Sequence, residues 1–515
     1  MVLRRLHIYL LLILIGSALA FQHSAIRVSD AAKKPFNLLV DASTRGAVRR
    51  RKHWMDSPPR ILTLKSKNGD IEPQDSTVDA SSWKWLALVL PLHLVYVSNQ
   101  WSRSSIYYLV NFSDGASPFT SMNVDIGFSQ SEYGLLASLG FTSLFAIASL
   151  FAGAAADRLD RKLITVTSAL GWGGATLGTA LFSSSFTDVL FFRVWMGIFC
   201  AFSTPAAYTL INERVPEDRR SFATSLYGTG VALGGAFASL SILLDTQFGW
   251  RQTTMLVALV AFTSAGLAFA ILPDDNKEDN TVVPRAGESK VEERNFFHDI
   301  SDVLSTDRAK WLFFGSFLRF SAGLSIGVWS APYYKQAFPE NAEDYAVAQA
   351  LITALAGSAS GLIGGAIADW LSANTQEGGD IVGKKLWVPV VGSVLAAPTF
   401  YLAVHAESFQ TAMVWLSIEY LVAECWFGPT ISFMLGTVGK KVGGTGQGLF
   451  TLTGAVANLV PAALGWYYSA GTAGDASSDL SSVLSSIVCL AYMSSAICFA
   501  ISAKTPIMLA NEKQS

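Results

Sequence analysis

Charge is scarce in this chain of 515 residues, of which 15% are charged and 51% hydrophobic. A soluble globular protein carries roughly 25% charged residues. The shortage of charge, with a mean hydropathy of +0.37, therefore favours a membrane protein. The net charge of −2 offers no global basic surface, so we expect no nucleic acid partner.

Cysteine is rare in the chain, and the common enzyme motifs are absent from its sequence. The four cysteines lie in apolar stretches without the spacing of a metal site or a disulfide framework, so we interpret them as packing residues: Cys200, Cys425, Cys489 and Cys498. The chain contains no Gly-x-x-x-x-Gly-Lys-Ser/Thr, His-Glu-x-x-His or Gly-x-Ser-x-Gly sequence. We predict neither an enzyme nor a bound metal or cofactor. No soluble stretch is long enough for the nucleotide-binding domain of an ATP-driven transporter.

The amino-terminal region lacks an apolar run long enough to cross a bilayer. Residues 1–20 contain Arg4 and Arg5, an apolar core and a small-residue cleavage site, the order of a signal peptide. Residues 21–80 form a second predicted segment, which from residue 21 to about 67 is basic and poor in acidic residues, as is typical of a transit peptide. Together they resemble the bipartite plastid presequence of algae with complex plastids, which implies a plastid envelope. A plain signal peptide with a basic tail, leading to an endomembrane or the plasma membrane, is the alternative.

Apolar runs of about twenty residues, the length of a membrane-spanning helix, fill the rest of the chain. The predicted spans are 84–110, 132–155, 163–182, 188–211, 222–244, 251–272, 310–334, 345–369, 386–404, 410–435, 447–468 and 481–502. They predict an all-α membrane protein with twelve transmembrane helices. The predicted segments are an amino-terminal six-helix half (81–272), a charged central loop (273–309), a carboxy-terminal six-helix half (310–505) and a tail (506–515).

Basic residues alternate between the loops that join these spans. Even-numbered loops carry clusters of Lys and Arg, whereas odd-numbered loops have only Arg251 and Lys335, both at span edges. This alternation is expected when the even loops lie on the non-translocated side of the membrane, and a missed span would destroy it. We call that side the basic side and the opposite one the far side. In a plastid envelope the basic side would be the stroma.

A short motif occurs at the same place in each predicted half. Residues 153–162 follow the second span and residues 365–370 follow the eighth, and both contain Gly-x-x-x-Asp. The glycine permits close helix approach, and the aspartate at a helix end can hold basic side chains and helix N-termini across the interface. We predict a latch that closes the basic side, formed by Gly153, Asp157, Arg158, Arg161, Lys162, Gly365 and Asp369.

The first copy of the motif resembles the loop signature of the major facilitator superfamily, Gly-x-x-x-Asp-Arg-x-Gly-Arg-Arg/Lys, with Asp160 where glycine is usual. Residues 193–197 resemble the Arg-x-x-x-Gly of that family's fourth helix, and the glycines of the fifth span resemble its gating helix. The resemblance covers roughly residues 82–505. It implies two pseudo-symmetric six-helix halves that transport a solute by alternating access.

A further likeness is to the Spinster-like branch of that superfamily. Residues 99–103 resemble its Asn-x-x-Asp-Arg, and residues 193–201 resemble its Arg-x-x-x-Gly-x-Gly-Glu-Ala. Ser102 and Cys200 stand where the branch has the Asp and Glu associated with proton coupling. Their absence puts that coupling route in doubt.

Ionisable residues inside spans are functional candidates because burial in the bilayer makes them costly. Arg103, with Asn99 one turn earlier, and Arg319 supply one guanidinium from each half to clamp an anion, while Arg193 fits either this role or a structural one. We choose Glu424, which precedes a predicted helix bend, as the carboxylate that binds a proton or pairs with an arginine. The remaining candidates are Glu419, His93 (otherwise a packing residue) and the aromatic residues Tyr107, Tyr108, Tyr208, Trp329, Tyr333 and Trp426.

These patterns predict a secondary active transporter. A small organic anion is the favoured substrate because the spans contain three arginines. A lysolipid or other amphiphile is the alternative, from the Spinster-like resemblance, and a non-transporting receptor on the same scaffold is a second. The expected partners are the substrate, the lipid bilayer and a coupling proton or other ion. We expect a monomer that acts as a symporter or an antiporter.

Overall fold

A computed structural model describes residues 84–274, 300–301, 303–374, 380–438, 443–470 and 476–506. The chain divides into two compact units, residues 1–84 and 85–515, and the following description concerns the second. The predicted signal peptide and transit-like segment, most of the central loop and nearly all of the tail lie outside the described residues.

Each predicted span coincides with one helix in the described part of the chain. The first six are α1 (Lys84–Ser104), α2 (Gln130–Ala137 and Leu139–Arg158), α3 (Arg161–Phe182), α4 (Phe186–Arg214), α5 (Glu217–Gly228 and Gly230–Phe248) and α6 (Trp250–Ile271). The others are α7 (Asp307–Ala337), α8 (Ala342–Leu351 and Ser358–Ala373, joined by the π-helical turn Ile352–Gly357), α9 (Ile381–Lys385 and Trp387–Val404), α10 (Phe409–Ala423 and Phe427–Val438), α11 (Gly443–Ala457 and Leu459–Ala470) and α12 (Ala476–Lys504). Shorter helices are Ser105–Tyr107, Met122–Ile126, Pro339–Asn341 and Glu424–Trp426.

The all-α membrane fold predicted from the sequence is confirmed. Within the described residues, ten helices are long and apolar enough to cross a membrane. The other two, α1 and α3, have similar lengths but more polar sequences. α1 ends in a polar run, and the sequence of α3 contains several Gly and Thr residues among its apolar ones. The chain is therefore an integral, multi-pass membrane protein.

Several helices depart from the predicted bounds. The first span was expected to continue to residue 110, but α1 ends at Ser104 and a 3-10 turn follows over Ser105–Tyr107. The seventh helix begins at Asp307, inside the predicted central loop. In α10 a 3-10 turn over Glu424–Trp426 interrupts the helix beside the bend expected there. Such interruptions free backbone carbonyls for other donors.

The two halves repeat the same helix packing. In the first half α2 packs on α4, and α3 packs on both α4 and α6; in the second half α8 packs on α10, and α9 packs on both α10 and α12. Each half has a separate hydrophobic core, around Trp172 in the first and around Trp426 in the second. The repeat seen in the short motif thus extends to the tertiary structure.

In the described residues the halves meet mainly where α2 contacts α11 and α5 contacts α8, and α7 also contacts the 3-10 turn Ser105–Tyr107. Gly134 of α2 and Gly465 of α11 meet at the first crossing. A Cβ added to Gly465 would lie 2.8 Å from the Gln130 carbonyl oxygen and 2.9 Å from the Trp329 ring. Only glycine allows the backbones to approach this closely.

Candidate functional site

Lys335, in the last turn of α7, closes the far side of the interface between the halves. It is 5% exposed, and its ammonium donates to the carbonyl oxygens of Tyr108 and, at 3.3 Å, Val110 in the other half. Elsewhere on this side Tyr133 donates to the Val328 carbonyl at 2.5 Å. In the described part of the chain, every hydrogen bond between the halves lies at this far end, where Ser113 also reaches α7 and Ser239 reaches α8.

Asp245 of α5 is the acidic partner at this closure. It is 2% exposed, its charge acts on the Lys335 ammonium, and its Oδ2 accepts no hydrogen bond among the described residues. Sequence reasoning missed both residues as a pair, because Lys335 was interpreted only as a charge at a span edge. The available signal was that a lysine is unusual in a far-side loop that has no other basic residue.

Trp329 and Tyr333, predicted to line a cavity, pack into this closed end. Trp329 is fully buried, donates to the Pro461 carbonyl at 3.0 Å and meets the Tyr133 ring edge-on at 5.2 Å. Tyr333 is also buried and donates to the Val404 carbonyl. In this conformation both therefore serve packing.

Arg193 links three helices of the first half. Its Nε donates to the Leu136 carbonyl at 3.2 Å and its Nη1 to the Arg103 carbonyl at 2.9 Å, and the guanidinium lies 5.5 Å from the centre of the Phe141 ring. Its Nη2 has no partner within the described residues. The groups whose charges act on it include no carboxylate: Tyr107, Arg103, Cys200 and Tyr133. Arg193 thus supports α1, α2 and α4 while remaining an uncompensated charge.

Arg103 lies in the last turn of α1, closer to the helix end than predicted, because α1 stops at Ser104. Its guanidinium is half-buried and stacks 4.7 Å from the centre of the Phe141 ring. No hydrogen bond or ion pair involves this side chain in the ranges that the structure describes. Buried Asn99 lies one turn earlier and acts on the Cys200 thiol.

Ser102 and Cys200 are buried beside these two arginines. The Ser102 Oγ has no hydrogen-bond partner in the described chain, and the Cys200 thiol feels the charge of both guanidinium groups. An acid at either position would pair with Arg103. The first half therefore presents two adjacent cations without an acidic partner among its described residues.

Three tyrosines form an aromatic wall near Arg103. Tyr96 stacks on Tyr227 with ring centres 4.5 Å apart, and Tyr208 meets Tyr227 edge-on at 5.2 Å. The Arg103 charge acts on the Tyr96 hydroxyl. Sequence analysis named Tyr208 but missed Tyr96 and Tyr227, since only the packing of α1 against α5 brings them together.

Arg319 of α7 is 1% exposed and is held inside the second half. Its Nη2 donates to the Ala423 carbonyl at 2.7 Å and to the Glu424 carboxylate at 3.3 Å. The rings of Trp426 and Tyr492 flank it at 5.0 Å and 4.9 Å. The predicted arginine partner of Glu424 is thus present, and no hydrogen bond or ion pair joins Arg319 to Arg103 in the described residues.

Glu419 lies deeper in the same cluster. It is 2% exposed and accepts a hydrogen bond from the Tyr492 hydroxyl of α12. The side chain of Glu424, by contrast, is 42% exposed. The two carboxylates of α10 therefore occupy different environments, as their separation around the helix predicted.

His93 is buried on α1 against the backbone of Leu226 and Tyr227 in α5, and its Nδ1 has no partner among the described residues. This placement matches the packing alternative. Nearby, a Cβ on Gly230 would lie 2.8 Å from the Tyr96 ring. These contacts make α1 and α5 a closely packed pair.

On the basic side, three ion pairs involve motif residues, and their partners lie in the same half or at the start of the central loop. Arg161 pairs with Glu213 at 2.7 Å, Lys162 with Asp274 at 2.7 Å, and Asp369 with Lys385 at 3.6 Å. A Cβ on Gly153 or Gly365 would meet nothing within 4 Å. The side chains of Asp157 and Arg158 lie outside the described residues. Nothing in the described chain packs against a Cβ position at either glycine, and the latch remains a prediction.

Comparisons with known proteins agree with this architecture. The profile of the major facilitator superfamily matches residues 93–462. The chain is 26% identical over 264 residues to the 4-hydroxybenzoate transporter PcaK of Acinetobacter baylyi, a match that spans 48% of this chain and 57% of PcaK. It is 24% identical over 353 residues to the probable sulfoacetate transporter SauU of Cupriavidus necator, covering 66% and 80% of the two chains.

The fold also resembles a solved structure. The match is to a bacterial homolog of the human lysosomal transporter Spinster, in its inward-facing and unoccupied conformation. The TM-score is 0.64 at 18% identity, over 82% of this chain and 96% of that one.

Proposed function

Since the chain belongs to the major facilitator superfamily, we propose that it is a secondary transporter that moves a small organic anion by alternating access. One observation carries the choice of an anion. Arg103 is half-buried inside the transmembrane region with neither a hydrogen bond nor an ion pair in the described residues, and the charge of Arg193 acts beside it.

An uncompensated charge inside a membrane protein is unfavourable, so such a charge marks a site for an opposite charge. Acids at positions 102 and 200 would neutralise this pair, but the chain has Ser102 and Cys200 there. The anion itself supplies the missing negative charge. A guanidinium also matches the planar geometry of a carboxylate or sulfonate.

We further propose that the substrate carries an aromatic or otherwise flat apolar group. Tyr96 and Tyr208 present rings on the same half as Arg103, so a ring can stack there while its acidic group reaches the guanidinium. Similarity to PcaK, named as a 4-hydroxybenzoate transporter, supports this class. Similarity to SauU, named as a probable sulfoacetate transporter, supports an anion more generally.

Arg319 completes the clamp in a later conformation. In the present arrangement Glu424 neutralises it, so Arg319 can reach the anion only when that carboxylate releases it. The anion thus competes with Glu424 for one guanidinium. This competition draws the second half towards the substrate as the basic side closes.

Uptake into proteoliposomes tests the proposal, with radiolabelled 4-hydroxybenzoate, sulfoacetate and a lysophosphatidylcholine as probes. We expect saturable uptake of an anion, reduced at least tenfold by Arg103→Ala, because a lost charge-assisted contact contributes about 1.5–3 kcal/mol. Lys310→Ala is the matched control, since Lys310 is largely exposed and pairs only with nearby Asp307 in the described residues. Uptake of the lysolipid alone would instead support an amphiphile transporter. Anion uptake that is unchanged in Arg103→Ala would exclude the clamp.

We also propose a plastid envelope location, on the basis of residues 1–80 alone. The test is a fluorescent reporter fused after Lys67 and expressed in an alga with a complex plastid. Import into the plastid is the expected result. Retention of the reporter in the secretory pathway would contradict it.

A further inference from the structure

A cluster of ionisable groups from three helices lies inside the second half. Arg319 from α7 and Glu419 from α10 are almost fully buried, whereas the side chain of Glu424 in α10 is 42% exposed. Tyr492 from α12 donates to Glu419. The cluster therefore contains one cation and two carboxylates.

The charge of Arg319 is already balanced. Glu424 lies 3.3 Å from its Nη2, which also donates to the Ala423 carbonyl, and two aromatic rings flank the guanidinium. No hydrogen bond joins Arg319 to Glu419 in the described chain. When both carboxylates are ionised the cluster has a net charge of −1, and a proton on Glu419 makes it neutral. Burial favours the neutral form, whereas the Arg319 charge and the Tyr492 hydroxyl favour the ionised form.

The surroundings of Glu419 offer no second cation among the described residues. The titratable and charged groups that act on it, or on which it acts, are Arg319 and Tyr334 from α7, Tyr420 and Glu424 from α10, and Cys489 and Tyr492 from α12. The neighbouring helices α8 and α9 add none to this set. Among the described residues, Arg319 is therefore the one cation that acts on Glu419, and it stabilises the ionised carboxylate together with the hydrogen bond from the Tyr492 hydroxyl.

We propose that Glu419 binds the proton that is transported together with the anion, that Tyr492 positions its carboxylate, and that Arg319 links the two events. An anion that draws Arg319 towards the cavity removes the only described cation near Glu419. Once the anion is bound, a Glu419 oxygen takes up a proton from water. After the anion leaves, Arg319 returns and the proton dissociates to water. Anion and proton thus bind together and move in the same direction.

This coupling rests on the proposed anion transport, but proton binding by Glu419 can be measured without any substrate. Infrared difference spectra of the purified full chain in nanodiscs, between acidic and alkaline buffer, detect the carbonyl stretch of a protonated carboxyl group. We expect a buried carboxyl band that Glu419→Gln removes. The exposed Glu407 provides the matched control Glu407→Gln, which should retain it. A spectrum unchanged by Glu419→Gln would overturn the proposal.

Tyr492→Phe tests the positioning role, because it removes the donor but keeps the ring beside Arg319. We expect the Glu419 band to remain and to shift in frequency and in pH midpoint. A purely packing role for Tyr492 would leave both unchanged.

The transport arm uses the same proteoliposomes with radiolabelled 4-hydroxybenzoate. With one proton carried per anion, each pH unit of gradient, acid outside, raises the accumulation ratio about tenfold in the unaltered protein. Glu419→Gln should retain exchange of internal for external substrate but lose the response to the gradient. A Glu419→Gln variant that still responds like the unaltered protein would refute the coupling. Failure of all uptake in the unaltered protein would instead count against the proposed function, and the infrared result would stand separately.

Discussion

At the residue scale, Arg103 and Arg193 differ in how their guanidinium groups are used. Arg193 donates to two backbone carbonyls and so fixes the ends of neighbouring helices. Arg103 has only the Phe141 ring as a described side-chain contact. The same residue type in the same half thus serves as a positioning group in one case and as a candidate ligand in the other.

Restoring an acid beside Arg103 tests this distinction. Ser102→Asp places a carboxylate where the Spinster-like branch has one, and we expect it to neutralise Arg103 and lower anion uptake at least tenfold. Ser102→Asn is the matched control because it adds similar volume without charge. Uptake should be compared at equal protein incorporation in proteoliposomes, and equal uptake by the two variants would contradict the charge argument.

Arg308 and Asp380 show a structural use of charge at the basic end of the second half. Arg308 is 1% exposed and pairs with Asp380 at 2.7 Å. Burial of the Asp380 carboxyl acts to raise its pKa, but Arg308 and the amides of Gly383 and Val382 outweigh this and hold the pKa below its ordinary value. The ionised form is therefore the one that the folded protein binds.

The sign of the resulting pH dependence follows from that depressed pKa. The unfolded chain protonates this carboxyl at a higher pH than the folded chain, so Asp380 stabilises the fold at neutral pH. This contribution declines as the pH falls from about 4 through the folded pKa. We expect Asp380→Asn to lower the free energy of unfolding by about 1–3 kcal/mol at neutral pH, because Arg308 stays buried without its acid.

Thermal unfolding in detergent at neutral and acidic pH measures this effect. The difference between Asp380→Asn and the unaltered protein should narrow in acid. Asp307→Asn is the control, since its ion pair with Lys310 is exposed and contributes little. A destabilisation by Asp380→Asn that does not depend on pH would show that the ionised Asp380 carboxylate is not what stabilises the fold.

At the scale of elements, the helix interruptions position the site. The 3-10 turn over Glu424–Trp426 frees the Ala423 carbonyl, which accepts from Arg319. On the far side, the end of α1 at Ser104 lets the following segment turn across the interface, where its carbonyls meet Lys335. Continuous helices would have kept these carbonyls in their own hydrogen bonds.

Lys335 and Asp245 should control how readily the far side opens. Lys335→Met removes the hydrogen bonds to the segment that follows α1 and takes away the cation on which the Asp245 charge acts. We expect a population shift towards the far-side-open state. The readout is the thiol-labelling rate of a Ser239→Cys reporter, whose site is buried at the interface here, and this rate should rise at least tenfold.

A second substitution separates this effect from general loosening. Adding Asp245→Asn to Lys335→Met removes the orphaned acid and should lower the labelling rate again. If the double variant labels faster than the single one, the two residues do not act as a pair.

At the scale of the whole molecule, the halves contact at the far end, and nothing in the described chain packs against a Cβ position at Gly153 or Gly365. Alternating access requires the opposite arrangement as well, in which the motif of each half meets the other half. The present arrangement does not test that latch, which remains a prediction.

Gly365→Leu tests it without disturbing this conformation, since a side chain there has room. We expect the leucine to obstruct closure of the basic side, to abolish net uptake and to leave thermal stability nearly unchanged. Gly174→Ala, also in open space but outside the motif, is the control. Normal uptake by Gly365→Leu would show that close approach at Gly365 is not needed.

The sequence by itself determined the helix count, the membrane class and the repeat, and it predicted the sidedness. Hydropathy, loop charge and motif spacing are properties of contiguous stretches, and the bilayer requires each apolar stretch to form its own hydrogen bonds as a helix. The arginines and the two carboxylates of α10 were also identifiable, because ionisable residues are rare inside spans.

Only the tertiary structure decided which of these groups meet. Arg319 binds Glu424, Glu419 faces Tyr492, and Lys335 reaches the segment after α1. These contacts depend on helix rotation and on helix interruptions that are set by contacts between distant segments. No local pattern encodes those contacts. The unpaired state of Arg103 likewise depends on the folded structure, because its described neighbours supply neither a carboxylate nor a hydrogen-bond acceptor. This lack of a partner separates the proposed anion-binding arginine from a structural one such as Arg193.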